Sequence, residues 1–110
     1  MKKINGGIMR KINCTPHAIR LNSGEVFEPS GIIPRVSASF TEFAPDGICR
    51  QEFGEVEGLP ELKEDTLLIV SAMVIGVSDR ADLIAPATGH PETVRNEKGH
   101  IVSVPGFVRK

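Results

Sequence analysis

The chain contains no tryptophan and no tyrosine, and its only aromatic side chains are five phenylalanines, at 27, 40, 43, 53 and 107. A platform for single-stranded nucleic acid stacks bases on aromatic faces, so this scarcity argues against that class, although one stacked base remains compatible with it. Charge of one sign is missing too: the formal net charge is −1, which lacks the positive field of a general duplex binder. No apolar run is long. The longest, TLLIVSAMVIGV at 66–77, falls well short of the roughly 20 residues that span a bilayer, so it is expected to be core and no membrane partner is expected. Glycine patterns of the Walker or dinucleotide type are absent, and no Cys-x-x-Cys or His-x-x-x-His pair occurs. Without such a pair, His17, His90 and His100 would have to converge from separate loops to hold a metal. Neither a metal nor a cofactor is expected.

Two cysteines, Cys14 and Cys49, are present. The opening MKKINGGIMR has a basic start and no apolar h-region, so a reducing cytoplasm and two free thiols are expected. With 110 residues, 40% hydrophobic and 25% charged, the chain suits one globular domain with one modest core. KKIN at 2–5 returns as RKIN at 10–13, too short to make a repeat architecture. Residues 1–9 are therefore expected to form an extension or an extra strand, and 10–110 the domain.

Punctuation recurs about every eight to twelve residues: Thr15-Pro16, Asn22-Ser23-Gly24, Pro29-Ser30-Gly31, Pro45-Asp46-Gly47, Gly58-Leu59-Pro60 and Glu97-Lys98-Gly99. Such clusters supply the fixed and positive φ values of turns. The intervening segments alternate in polarity or are β-branched, as strands with one wet face do. In RVSASF, Val36, Ala38 and Phe40 share one face and Arg35, Ser37 and Ser39 the other. Leu67 to Val70 is a continuous apolar run suited to a central strand buried on both faces. A short helical segment is expected after it, with Ser78-Asp79 capping a further turn toward Leu83. The chain closes in a hairpin turning at Asn96 to Gly99. The fold class that follows is α+β, mainly β: a single small domain of mostly antiparallel short strands with one short helical segment.

In order, INCTPHAIRL, EPSGIIPRV, EVEGLPE, LLIVSAMV, DRADLIAPA and VRNEKGHIVSVPGF resemble the elements of a family of small phage and prophage proteins. Members of that family begin with an Asn-Leu-Thr-Pro-His stretch and go on through a Pro-Ser-Gly-type turn, a Gly-Leu-Pro, an Ile-Val-Ser strand and an Arg-x-Asp-Leu segment to a closing hairpin. The likeness runs from Arg10 to Phe107, and each element alone is weak. It departs at Cys14, where the family has leucine, which removes support for a catalytic thiol. The resemblance implies a phage setting, hence the cytoplasm of an infected bacterium, and no particular reaction.

Cys14 and His17 stand three apart across a proline, and nucleophilic catalysis would need the imidazole within reach of the thiol and oriented by a third group. A corner in which Thr15 and His17 bond backbone groups is the simpler expectation. Phosphate can be held by arginine forks and hydroxyls without a glycine motif. The candidate ligand-binding residues are His17, Arg35 with Ser37 and Ser39, Arg80 and Arg95. The expected function is non-catalytic: a homo-oligomer that sequesters a nucleotide-like or phosphorylated small molecule, such as a host immune signal. Two alternatives come from other classes. One is a protein–protein inhibitor or accessory phage component using the acidic segment 52–65, whose carboxylates are otherwise read as guards of a strand edge. The other is a small hydrolase of a nucleotide-derived substrate, with His17 as acid or base.

Overall fold

The apolar run at 66–70 becomes the middle of the molecule. The structure, a computed structural model, describes residues 9–110; of the expected N-terminal extension, residues 1–8 lie outside the described residues. In chain order the elements are β1 (Arg10–Asn13), β2 (Ile19–Arg20), β3 (Val26–Phe27), β4 (Arg35–Phe40), β5 (Gln51–Glu57), β6 (Thr66–Ile69), α1 (Ala72–Val77), β7 (Leu83–Pro86), β8 (Val94–Arg95), β9 (Ile101–Ser103) and β10 (Phe107–Val108). Four strands make the central sheet, in the order β1-β6-β7-β10. β6 runs parallel to both neighbours, β1 and β7, while β10 is antiparallel to β7. The other pairs, β2 with β3, β4 with β5 and β8 with β9, are antiparallel. The protein is thus mainly β with one short helix, and most of its strand pairs are antiparallel.

Because successive strand residues point to opposite faces, β6 feeds two cores at once. Leu68 and, just past the strand, Val70 join Leu83, Val74 of α1 and Cys14 on one face. Ile69 joins Ile84, Ile19 and Val104 on the other, flanked by Leu21, Leu67 and an edge-to-face pair, Phe27 and Phe107, with ring centroids 5.6 Å apart. A run without alternation is what a strand covered on both sides requires.

The helical segment after β6 is Ala72–Val77, and its N-cap is Ser71, whose hydroxyl accepts from the Val74 amide at 3.3 Å. The further helical turn expected to be capped by Ser78-Asp79 is not formed. Ser78 instead closes the helix, its amide donating to the Val74 carbonyl. No further helical turn leads to Leu83: a non-helical turn at Ala81 and Asp82 does, beside which Arg80 bonds Asp82 through two bonds, Nε to Oδ1 at 3.0 Å and Nη2 to Oδ2 at 2.6 Å. The Asp82 carbonyl then accepts from Leu68 and starts the pairing of β7 with β6.

β4 and β5 form a hairpin whose base rests on the body and whose far end does not. Val36 and Val56, paired across the ladder, pack against the core cluster that holds Val74. Beyond a register shift between Val36 and Ala38, the ladder continues to a tip closed by Pro45-Asp46-Gly47, where Gly47 at φ 85° donates to the Ala44 carbonyl. Gly54 faces Ser37 there, and a Cβ on it would collide with the Ser37 hydroxyl. The projecting hairpin helps explain a radius of gyration of 16.7 Å, against about 13 Å for a compact domain of this length.

Leu68→Ala is expected to cost about 2–5 kcal/mol, as a large-to-small change in a filled core. Leu62→Ser, at an exposed site, is expected to stay within about 0.5 kcal/mol. Urea unfolding of both variants at neutral pH checks the contrast.

Candidate functional site

Beyond β1 the chain turns through Cys14 to His17, and the side chain of Asn13 holds that turn. Asn13 is 2% exposed, and every polar atom of its carboxamide is used. Its Nδ2 donates to the carbonyls of His17 at 2.8 Å and Phe27 at 2.9 Å. Its Oδ1 accepts from the Thr15 amide at 2.9 Å and the Thr15 hydroxyl at 2.6 Å. Thr15 Oγ1 also lies 3.0 Å from the His17 carbonyl. The corner expected from Thr15-Pro16 is present, with Thr15 bonding the backbone as anticipated. His17 takes part through its carbonyl, which leaves its imidazole exposed.

Cys14 goes the other way. Its amide donates to the Ile69 carbonyl, and its side chain is buried among Leu68, Val70 and Leu83. Burial pushes the thiol up from its ordinary range, with an opposing, smaller pull from a hydrogen bond with the Ser30 side chain. A thiol that resists ionisation is a poor nucleophile, and Cys14 is buried where the His17 side chain is exposed. Both cysteines are free.

The corner leads into a cavity of about 420 Å³ at the carboxyl ends of β1, β6 and β7, with Thr15, Ser71 and Thr88 just beyond those strands. Open sheets with parallel strands commonly place ligands at this end. Its apolar wall comes from Ile19, Ala72, Pro86, Ile101, Val102 and Val104, and its polar groups are His17, Arg20, Thr15, Ser71, Thr88 and Ser103. No carboxylate lines it. Three hydroxyls already have partners: Thr15 on Asn13, Ser71 on the Val74 amide, and Ser103 donating to Asn22 Oδ1 at 2.5 Å. Arg20 makes no ion pair among the described residues.

His17 is the one sequence-chosen candidate that lines this cavity. Arg35, Ser37 and Ser39 stand together on β4, outside it. Arg80 is committed to buried Asp82, whose hydrogen bond holds the guanidinium proton more tightly than usual. It borders a second cavity of about 370 Å³ that also contains Glu55. Arg95 bonds the Gly99 carbonyl at 2.9 Å and the Thr88 carbonyl at 3.3 Å, tying the last hairpin to the segment after β7. Arg20 escaped notice in the sequence because an arginine after a buried isoleucine reads as a solvated strand residue. Its place three residues beyond His17 was the available signal. Among the described residues no three His, Cys, Asp or Glu side chains gather as metal ligands, and no helix is long and apolar enough to cross a membrane.

Asn13→Ala is expected to destabilise the protein by about 2–4 kcal/mol, since it strands two partly buried carbonyls and one amide. Asn13→Asp keeps the acceptor but sets a carboxylate against the His17 and Phe27 carbonyls. Its folded-state pKa is therefore raised, and its penalty is expected to be larger at pH 7 than near pH 4, where the carboxyl is about half protonated even when unfolded. Cys14 gives the wild type a similar dependence at higher pH. Its stabilising contribution is complete below the unfolded thiol value of about 8.5 and is lost as pH rises through the higher folded value. Unfolding measured from pH 7 to 11 is expected to show a decline that Cys14→Ala reduces. Comparison with protein-family models, curated proteins and solved structures matches nothing to this chain, and the functional reading rests on the cavity itself.

Proposed function

We propose that this chain is a non-catalytic binding protein that holds a small phosphorylated, nucleotide-like molecule in the cavity beyond β1, β6 and β7. The observation that carries the reading is the lining: a guanidinium and an imidazole with hydroxyls beside an apolar wall, and no carboxylate to repel an anion. The volume, about 420 Å³, falls within the range of roughly 300–1,000 Å³ usual for small-molecule sites. In this reading Arg20 forks a phosphate, His17 adds a second donor, and Ile19, Pro86 and Val102 receive the base or sugar. The likeness of the motifs to phage proteins suggests a use: removal of a host signalling molecule by tight binding. Hydrolysis draws less support, since His17 has no carboxylate partner in the lining.

The test is native mass spectrometry of the protein purified from phage-infected bacteria, with acid release of anything bound. A stoichiometric phosphorylated molecule released intact is the expected result. Release of a cleaved product would replace binding with hydrolysis, and an empty protein would favour the protein-inhibitor reading. With the released molecule in hand, Arg20→Ala is expected to weaken binding about tenfold or more, the loss of one charge-assisted contact. Arg35→Ala is expected to leave binding unchanged; the reverse pattern would move the site to β4.

A further inference from the structure

The cavity beyond β1, β6 and β7 has one permanent positive charge in its lining, the guanidinium of Arg20, and no negative one. Among the described residues that guanidinium forms no ion pair. The side-chain donors around it are few. The Thr15 and Ser103 hydroxyls spend their protons on Asn13 Oδ1 and Asn22 Oδ1. Ser71 accepts from the Val74 amide and keeps its own proton. The Thr88 hydroxyl and the His17 imidazole line the same space and have no side-chain partner among the described residues. Ser71 follows the end of β6 and Thr88 the end of β7, and the two strands are neighbours with Ile69 opposite Ile84, so both hydroxyls stand at one end of the sheet.

We infer that the ligand of this cavity carries a single phosphate group and binds without a divalent cation, as a nucleoside monophosphate does and a triphosphate does not; the inference rests on the reading of the cavity as a phosphate site. A terminal phosphate presents three acceptor oxygens, and a guanidinium fork, an imidazole and the hydroxyls of Ser71 and Thr88 supply the donors for one such group. Each further phosphate adds negative charge with no second permanent cation in the lining to meet it. The rest of the wall, with Ile19, Pro86, Ile101 and Val102, is apolar, and an unpaired charge set against such a wall is costly. Polyphosphate sites meet this need with magnesium, held by one or two carboxylates and the phosphates themselves. This lining has no carboxylate to anchor one. The apolar wall suits the uncharged body of the ligand instead. Thr88 enters the site through its hydroxyl alone, because its amide donates to the Pro86 carbonyl and its own carbonyl accepts from Arg95.

The experiment is isothermal titration calorimetry of the full chain at neutral pH with the 5′-monophosphates and 5′-triphosphates of adenosine, guanosine, cytidine and uridine, each with and without magnesium chloride. The monophosphate of at least one base is expected to bind, and the triphosphate of that base to bind at least about tenfold more weakly. Magnesium is expected to leave the monophosphate affinity unchanged. Thr88→Val is expected to weaken the monophosphate severalfold, and Thr88→Ser, which keeps the hydroxyl, to restore it. A triphosphate that binds as tightly as its monophosphate, or a monophosphate that requires magnesium, overturns the single-phosphate inference and leaves the binding reading standing. A Thr88→Val variant that binds like the wild type overturns it too, since the donors assigned to that phosphate are then not the ones that hold it. No binding of any nucleotide, mono- or triphosphate, overturns the inference together with the reading on which it rests. The comparison of mono- and triphosphate uses the wild type, so it decides even if a Thr88 variant does not fold.

Discussion

A chain leaving a buried strand must carry its polar backbone out of the core without stranding donors or acceptors, and here one carboxamide meets that need at the most crowded point. Asn13 ends β1 beside β6, yet its side chain reaches forward to His17 and across to Phe27, while its carbonyl accepts from Ser30. Three segments that share no regular ladder are thereby held together. The corner so fixed determines where β2 begins, and with it the positions of His17 and Arg20 at the mouth of the cavity. A leucine could fill the volume of Asn13, but it would not satisfy the backbone groups that gather there.

The central sheet distributes apolar side chains to both faces, which leaves each core small. Most buried hydrophobic residues come from β6, α1, β7 and the segments next to them; β2 adds Ile19, and Cys14 and Val104 lie just past β1 and β9. Such a division makes the polar fastenings at the edges matter: the Arg80–Asp82 fork before β7, Arg95 across the last hairpin, and Asn22 between Ser103 and the Glu92 carbonyl. The fork fixes the segment that enters β7, and the other two tie loops to β8 and β9, which have little apolar surface of their own.

What could be read from the sequence followed from local chemistry. The unbroken run Leu67 to Val70 announced a strand covered on both faces, and Asn22 to Gly24, Pro45 to Gly47 and Asn96 to Gly99 announced their turns. Strand direction was not legible, because hydrophobic period marks which face is buried and says nothing of which way the neighbour runs. The parallel pairing of β1 and β7 with β6 therefore emerged only in three dimensions. β10, a two-residue strand directly after Pro105-Gly106, was too short to show a period. The grouping of Arg35 with Ser37 and Ser39 on one face of β4 was legible, but not that this face would stand on a projecting hairpin away from the cavity. Alternation assigns a side chain to a face; only the packing of the whole chain decides what that face meets.

The register of β1 has one more consequence, which concerns time. Arg10 pairs with Thr66 and Asn13 with Ile69, so the first strand of the sheet has no partner until the sixth has been synthesised. In the interval the β4–β5 hairpin, whose contacts are local, can close alone, whereas Ile12 and Cys14 wait with their apolar surface open to water. Folding dominated by such distant pairings proceeds on roughly the millisecond-to-second scale. On the ribosome the N-terminal segment is therefore a waiting strand, and the emergence of β6 is the event that turns a hairpin with loose ends into a protein.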